Sequence, residues 1–446
     1  MLIEVSIENY KSIKNKVTLS MQKSSQDKTL DENFVNIELN KIGQDKKEIG
    51  LLKTSAIYGA NASGKSNIID GILKIKLIIL NSHAHQQGQL FPVVPFKLDD
   101  KCVTEPTFFQ FVFIEQGVKY AYNVKLTKKS VVEENLYYYP NGREQKVFSR
   151  EGNEIKINFG SQKQLDKEAQ LRQEIYASDI SENILFLSLA NRVKIDAVKN
   201  AFNWFANKLQ VVTKDLNVIP TTTPMLTDNQ LSKEQVLKYL KIADSQIQGI
   251  NIEANEFNIN DPNNSDIKKH LMFEAQRRNI PFEKMQVEPL MALVEKTQRH
   301  GLDIDGNVKN VDFTLQEESL GTAKFYNLIG PILQALNNGM VIIYDEFDTS
   351  LHPLLVKGVI ELFYSKVNCS HAQLIMSTHN AYFLDFPALF RRDQVWVTEK
   401  QYNGETELYS ISDFKGIKRS NLSAKTYLKG KFGGIPQIDL DDIYEE

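Results

Sequence analysis

The stretch Thr54-Ser55-Ala56-Ile57-Tyr58-Gly59-Ala60-Asn61-Ala62-Ser63-Gly64-Lys65-Ser66-Asn67 decides the fold. Thr54–Tyr58 reads as a short apolar strand, and a helix is predicted from about Gly64 to Leu80. Between them Gly59–Ser66 satisfies GxxxxGK[ST] in full, in the strand–turn–helix context that the motif needs. Gly59 and Gly64 permit backbone angles that a Cβ would oppose. The N–H groups of the loop, from Gly59 through Ala60, Asn61, Ala62, Ser63 and Gly64 to Asn67, then converge on phosphate oxygens. The positive end of the helix backs them. Lys65 offsets β- and γ-phosphate charge, and the Ser66 hydroxyl is placed to bind Mg²⁺.

A matching acidic element lies about 280 residues downstream. Val341-Ile342-Ile343-Tyr344 is a buried-type strand that ends in Asp345-Glu346. Asp345 can hold Mg²⁺ through its water shell, and Glu346 is next in line to orient and deprotonate an attacking water. A neighbouring apolar strand ends in Ser377-Thr378-His379, where His379 can contact the γ-phosphate or that water. Strands alternating with helices imply a parallel sheet with its ligand at the carboxyl edge. The three elements are therefore expected at one crevice that takes ATP and Mg²⁺ and hydrolyses the nucleotide. Lys65, Glu346 and His379 form the expected catalytic set, and Ser66 and Asp345 the metal set.

The rest of the sequence suits an ordinary globular protein. Its 446 residues are 42% hydrophobic and 24% charged, enough for a large core. With 53 basic and 56 acidic residues the net charge is −3, so no global basic field marks a nucleic-acid binder; a local basic groove is still compatible. Cys102 and Cys369 show neither a disulfide framework nor zinc spacing, and are expected as small buried hydrophobes. His83 and His85 lie in a loop without partnered acids, so no metal is expected there. No run approaches the ~18 apolar residues of a membrane span. The N-terminus MLIEVSIENYKSI reads as a strand and not as a signal peptide, and a cytoplasmic protein without a membrane partner is expected.

Leu2–Glu8 is predicted to pair with Lys16–Met21, and residues 22–50 to form a polar surface excursion. Phe108–Glu115, Lys119–Leu126 and Val131–Tyr139 read as antiparallel strands. Helical spacing marks Gln162–Ala177, Glu182–Asn191 and Asp196–Leu209, followed by a loop over 211–230. Ser232–Ile247 reads as a helix opened by a Ser232/Gln235 capping box. A strand over Asn251–Asn258, a helix over 266–278, and strands Met291–His300 and Val311–Leu315 follow. Helix Thr322–Asn337, strand Met340–Tyr344, helix His352–Ser365 and strands Gln373–Ser377 and Gln394–Thr398 complete the pattern. The expected division is an N-terminal lobe over 1–160, a helical insertion over 161–290 and a C-terminal lobe over 291–446.

In this order the pieces resemble the ABC-type ATPase superfamily, in the branch of SMC, RecF and OLD-like proteins. The resemblance implies an α/β fold: an ABC-type, RecF/SMC-like P-loop ATPase head with an antiparallel β lobe and a helical insertion. It also implies a signature motif ahead of the acidic strand. Glu318-Ser319-Leu320-Gly321-Thr322 holds that place, although it departs from the LSGGQ of transporters. Ser319 and Gly321 can offer a hydroxyl and N–H groups to a phosphate held by a second protomer; equally, Ser319 can simply cap its helix. Gln86, Gln87 and Gln89 are all candidates for the Mg²⁺-contacting Gln of such heads. His352 reads either as a dimer-interface residue or as a helix start.

The sequence is more closely similar to bacterial AAA-type ATPases of the RloA and AbiL kind, and to the ATPase of the PARIS defence system. The similarity covers Ile7–Ile13, Gly59–Asn67, Pro95–Leu98, Glu318–Thr322, Asp345–Pro353, Ser377–Asn380 and Tyr427–Pro436. It implies a component of an antiphage or abortive-infection complex. The expected partners are a second copy of the chain, in an ATP-dependent homodimer or higher oligomer, and an operon-encoded effector such as a TOPRIM nuclease. DNA stays open as a ligand. A RecF- or SMC-like role in DNA repair or chromosome maintenance is the alternative.

Overall fold

The computed structural model describes residues 1–39, 48–158, 171, 179–190, 192–213, 221–256 and 291–436. The predicted helix 266–278 lies outside them, as does Gln162–Ala177 apart from Leu171. The strands in chain order are Leu2–Glu8 (β1), Val17–Ser20 (β2), Phe34–Glu38 (β3), Glu48–Leu52 (β4), Thr54–Tyr58 (β5) and Thr107–Glu115 (β6). They continue with Val118–Leu126 (β7), Val131–Tyr139 (β8), Gln145–Glu151 (β9), Glu154–Ile157 (β10), Leu209–Val212 (β11) and Ile247–Glu256 (β12). The last six are Met291–Leu302 (β13), Val308–Thr314 (β14), Val341–Tyr344 (β15), Gln373–Ser377 (β16), Val395–Lys400 (β17) and Thr406–Ser410 (β18).

The chain forms two compact units, Met1–Val218 with Ile332–Glu446, and Ile219–Pro331. In the first, seven antiparallel strands run in the order β10-β9-β8-β7-β6-β1-β2. A second sheet runs β11-β15-β16-β5-β17-β18, parallel except for β18. This is the expected α/β class, a P-loop head with an antiparallel β lobe. Strands β5, β15 and β16 are buried at every residue, as a parallel sheet requires.

One core joins the two sheets. Period-2 alternation turns Phe109, Phe111 and Phe113 of β6 inward with Tyr120, Tyr122 and Val124 of β7. Ile68, Ile72, Ile75 and Ile79 of the helix Lys65–Asn81 join the same core, along with Trp204, whose ring stacks on Phe113 at 4.2 Å. Each such burial contributes about 1.5–3 kcal/mol. The helix therefore stands firmly between the layers, and its N-terminus is fixed where β5 ends.

Several sequence expectations are corrected. The segment 22–50, expected as a polar surface excursion, holds β3 and the start of β4, paired antiparallel. The predicted helix Asp196–Leu209 ends at Asn203, passes through a wider π turn over Trp204–Lys208, and becomes β11, paired with β15. The expected loop over 211–230 thus begins inside the central sheet, and it also holds the short helix Thr222–Thr227. Cys102 is half-buried and Cys369 exposed; neither is a core residue.

The described part of Glu182–Asn191 holds only a 3-10 turn at Leu187–Leu189. Tertiary partners take its backbone groups. Glu134 accepts the Phe186 and Leu187 N–H groups at 2.8 and 2.9 Å, and Ser82 Oγ accepts that of Leu185 at 3.1 Å. Arg150 donates to the carbonyls of Ile184 and Ser181. Glu134 and Arg150 are both fully buried and lie 3.9 Å apart. Burial outweighs the arginine's pull and raises the Glu134 pKa above the ordinary carboxylate value. Glu134→Ala is expected to cost about 3–5 kcal/mol, because it leaves a buried guanidinium and two buried N–H groups without their carboxylate. Equilibrium denaturation of the two proteins measures the loss, and a cost below 1 kcal/mol refutes this account.

The second unit holds the helices Thr222–Thr227 and Lys233–Ala243, the start of the helix Leu320–Asn338, and the antiparallel sheet β12-β13-β14. The Ser232/Gln235 capping box forms as expected. Arg299 of β13 binds Asp244 at 2.6 Å and both oxygens of Glu318, at 3.1 and 2.6 Å, so the residue before Ser319 is held in place.

Candidate nucleotide site

Between the end of β5 and Lys65, the chain turns back on itself. Gly59 and Gly64 take φ of +149° and +112°. A Cβ on Gly59 would strike the Thr398 hydroxyl, and one on Gly64 the Thr406 side chain. Those threonines belong to β17 and β18 and clamp the loop. Ser63 Oγ and Thr398 Oγ1 are 2.6 Å apart, Thr398 Oγ1 donates to the Tyr58 carbonyl at 3.1 Å, and Thr406 Oγ1 donates to the Ser63 carbonyl at 2.8 Å. Asn67 donates to Ser12 Oγ at 2.7 Å, which ties the Ile7–Ile13 motif to the same loop. The helix has no side-chain cap at Gly64, the arrangement in which an anion satisfies its first N–H groups.

Gly64→Ala combines a left-handed backbone with a collision, so the loop must move. Nucleotide binding is expected to fall at least about tenfold, and the melting temperature with it. Calorimetric titration and a thermal melt check this; unchanged binding contradicts it.

Lys65 is 5% exposed. Its ammonium donates to the carbonyls of Gly59 and Ala60 at 2.7 and 2.9 Å and lies 3.3 Å from His379 Nδ1. Burial pushes its pKa down to about 8, against the upward pull of Asp345, Glu346 and Asp348. His379 is exposed as a residue, yet partial desolvation of its ring, and then the Lys65 charge, hold its pKa below the ordinary imidazole value. A neutral ring can accept from the ammonium.

Strand β15 delivers Asp345 and Glu346. Asp345 is 2% exposed, and its N–H donates to the Val212 carbonyl of β11 at 2.9 Å. Glu346 is half-buried at φ +53°, a left-handed conformation that costs a non-glycine residue about 1–3 kcal/mol. Strand β16, lying between β15 and β5, delivers His379 to the same edge.

A cavity of about 550 Å³ results, lined by Asn61, Ala62, Ser63, Gly64, Lys65, Ser66, Asn67, Glu346, His379 and Lys400. Ala60 lines an adjoining cavity together with Asn61, Ser63 and Lys400. The lining fits a triphosphate: a loop cleared of side chains at two glycines, a buried ammonium, and hydroxyl and carboxylate oxygens of the hard type that Mg²⁺ takes. Ser66, which lines the cavity, would hold that ion; Asp345, buried and absent from the lining, would reach it through the ion's water shell.

Ser319 and Gly321 stand at the start of the helix Leu320–Asn338 in the second unit, where Ser319 Oγ accepts the Thr322 N–H at 3.1 Å and so caps the helix. His352 caps the helix Pro353–Tyr364 by accepting the Leu354 N–H. Gln86, Gln87 and Gln89 are exposed and absent from the cavity lining. Sequence reasoning missed Lys400, Thr398, Thr406 and Ser377. For Ser377 a signal existed, its place in the polar triplet ahead of His379.

Fold and site together are those of a nucleotide-binding P-loop ATPase. The chain belongs to the family described as "AAA domain, putative AbiEii toxin, Type IV TA system", which matches residues 55–197 and 223–385, more than half of its length. No curated protein sequence matches the chain. Among solved structures it is similar to the SMC head domain from Thermotoga maritima, at 13% identity and a TM-score of 0.37 over 92% of this chain and 98% of that one. It is also similar to an Smc head with an extended coiled coil bound to the C-terminal domain of ScpA, derived from Pyrococcus furiosus, at 16% identity and a TM-score of 0.36 over 96% and 98%.

Proposed function

We propose that this chain hydrolyses ATP with Mg²⁺ and acts as a dimerising nucleotide switch in a bacterial antiphage or abortive-infection complex, of the RloA, AbiL and PARIS kind, where it controls a partner effector such as a TOPRIM nuclease. The observation that carries the reading is the cavity in which the phosphate loop, Glu346 and His379 meet. In this reading Lys65 offsets phosphate charge, Glu346 accepts the proton of the attacking water, and His379 contacts the γ-phosphate or that water. Bound Mg²⁺, held by Ser66 and Asp345, would neutralise phosphate charge.

The family's description as a toxin of a type IV toxin–antitoxin system supports a defence setting and a protein partner. Residues 161–290 are the expected docking region within a head whose other lobes are 1–160 and 291–446. Purification of the tagged chain expressed from its native operon, with and without ATP, followed by mass spectrometry and an ATPase assay, tests the proposal. Recovery of an operon-encoded effector is the expected result. Recovery of replication or repair proteins instead favours the RecF/SMC-like role, and absence of Mg-ATP hydrolysis defeats the enzymatic part.

A further inference from the structure

Ser377 is wholly buried at the carboxyl end of β16, two residues before His379. Its hydroxyl donates to Asp345 Oδ1 at 2.6 Å and accepts the Glu346 N–H at 2.8 Å, while its carbonyl accepts the Phe347 N–H at 3.2 Å. A backbone N–H can only donate, and a hydroxyl has one hydrogen. Accepting from Glu346 therefore leaves that hydrogen for Asp345, and the direction of both bonds is fixed. The three bonds span the turn in which Glu346 takes φ +53°. Such a conformation persists only where its surroundings over-determine it.

We propose that Ser377 is the positioning residue of the acid pair: it locks the Asp345 carboxylate and the Glu346 backbone in one relation and ties both to the strand that carries His379. The proposal rests on the ATPase reading above. Its physical content is a division of labour. The Glu346 Cα–Cβ direction follows from φ, so a residue that holds φ left-handed aims the carboxylate into the cavity it lines. Lys65 bonds to Gly59, Ala60 and His379 and not through the serine. Loss of the hydroxyl should therefore impair the chemical step and the response to Mg²⁺ more than nucleotide binding.

The test compares full-length Ser377→Ala and Ser377→Thr with the unaltered protein by Mg-ATP titration, steady-state hydrolysis, melting temperature and crystallography. For Ser377→Ala the expected Kd stays within roughly threefold, because the phosphate contacts are intact. Its kcat falls about 10- to 100-fold, the scale of a lost hydrogen bond to a charged group. The Mg²⁺ needed for half-maximal rate rises, and Glu346 leaves the left-handed region in the crystal. Ser377→Thr keeps the hydroxyl and restores most of kcat and the Glu346 geometry. Unchanged kcat and unchanged Glu346 geometry in Ser377→Ala overturn the proposal. So does a joint loss of binding, rate and melting temperature, which marks a merely structural residue. An unaltered protein that binds no ATP defeats the ATPase reading instead, and the Glu346 geometry in the two crystal structures still decides the positioning role.

Discussion

Glu346→Gln is expected to bind Mg-ATP as tightly as the unaltered chain and to hydrolyse it about 10²–10⁴-fold more slowly, the usual loss for a general base. Glutamine keeps the size of the side chain and its capacity to accept a hydrogen bond, and loses only the capacity to take a proton near neutral pH. The clamps on the phosphate loop run among Ser63, Thr398, Thr406 and the Tyr58 carbonyl, and the substitution leaves those bonds in place. Lys65→Ala is the contrasting variant. It removes the buried ammonium that lines the cavity, and binding itself should weaken. Calorimetric titration and single-turnover hydrolysis separate the two effects. A Glu346→Gln protein that turns over at the unaltered rate moves the base elsewhere; one that no longer binds makes Glu346 a binding residue.

Mixing two inactive variants should restore hydrolysis. In the proposed dimer the phosphate loop of one chain faces the signature segment of the other, with Lys65, Asp345 and Glu346 on one side of ATP and Ser319 and Gly321 of the second protomer on the other. The helix Leu320–Asn338 would then direct its N-terminal N–H groups at the phosphate. Ser319→Arg places a large cation at that helix start, and Lys65→Ala disables the loop. A mixed dimer concentrates both lesions in one site and leaves the second intact. Random exchange at equal concentration makes about half the dimers mixed, so roughly a quarter of all sites are whole. Each variant alone has none. If the site lies within one chain, every site in the mixture carries a lesion and no activity returns. Folded variants with demonstrated exchange and no recovery would therefore end the shared-site model.

Contiguous residues carry what is legible in the sequence. Gly59–Ser66 announces a phosphate site because two glycines and successive N–H groups make its chemistry without help from distant segments. Asp345, Glu346 and His379 are legible because parallel strands deliver the residues that follow them to one edge of a sheet. The short apolar runs of β5, β15 and β16 and the longer runs of β6, β7 and β8 declare themselves in the same way.

Reading fails where distant groups compete for a segment. Glu182–Asn191 has helical spacing, but Glu134 and Ser82, 52 and 103 residues away from their partners, take its N–H groups. The expected helix Asp196–Leu209 and the expected loop from 211 meet at residues that form a strand because β15 supplies a parallel partner. The hairpin of β3 and β4 hides in a polar composition because its ladder is built from backbone, which composition does not report.

By itself, then, the sequence located the glycine loop, the acid pair and the histidine, each a local arrangement of backbone and side chain. Only the tertiary structure decided that β16 lies between β5 and β15. That placement puts the Ser377 hydroxyl on Asp345 and Glu346, 32 and 31 residues away. It could not be otherwise: a hydrogen bond between strands needs them side by side, and strand order is a property of packing that no local pattern of residues encodes.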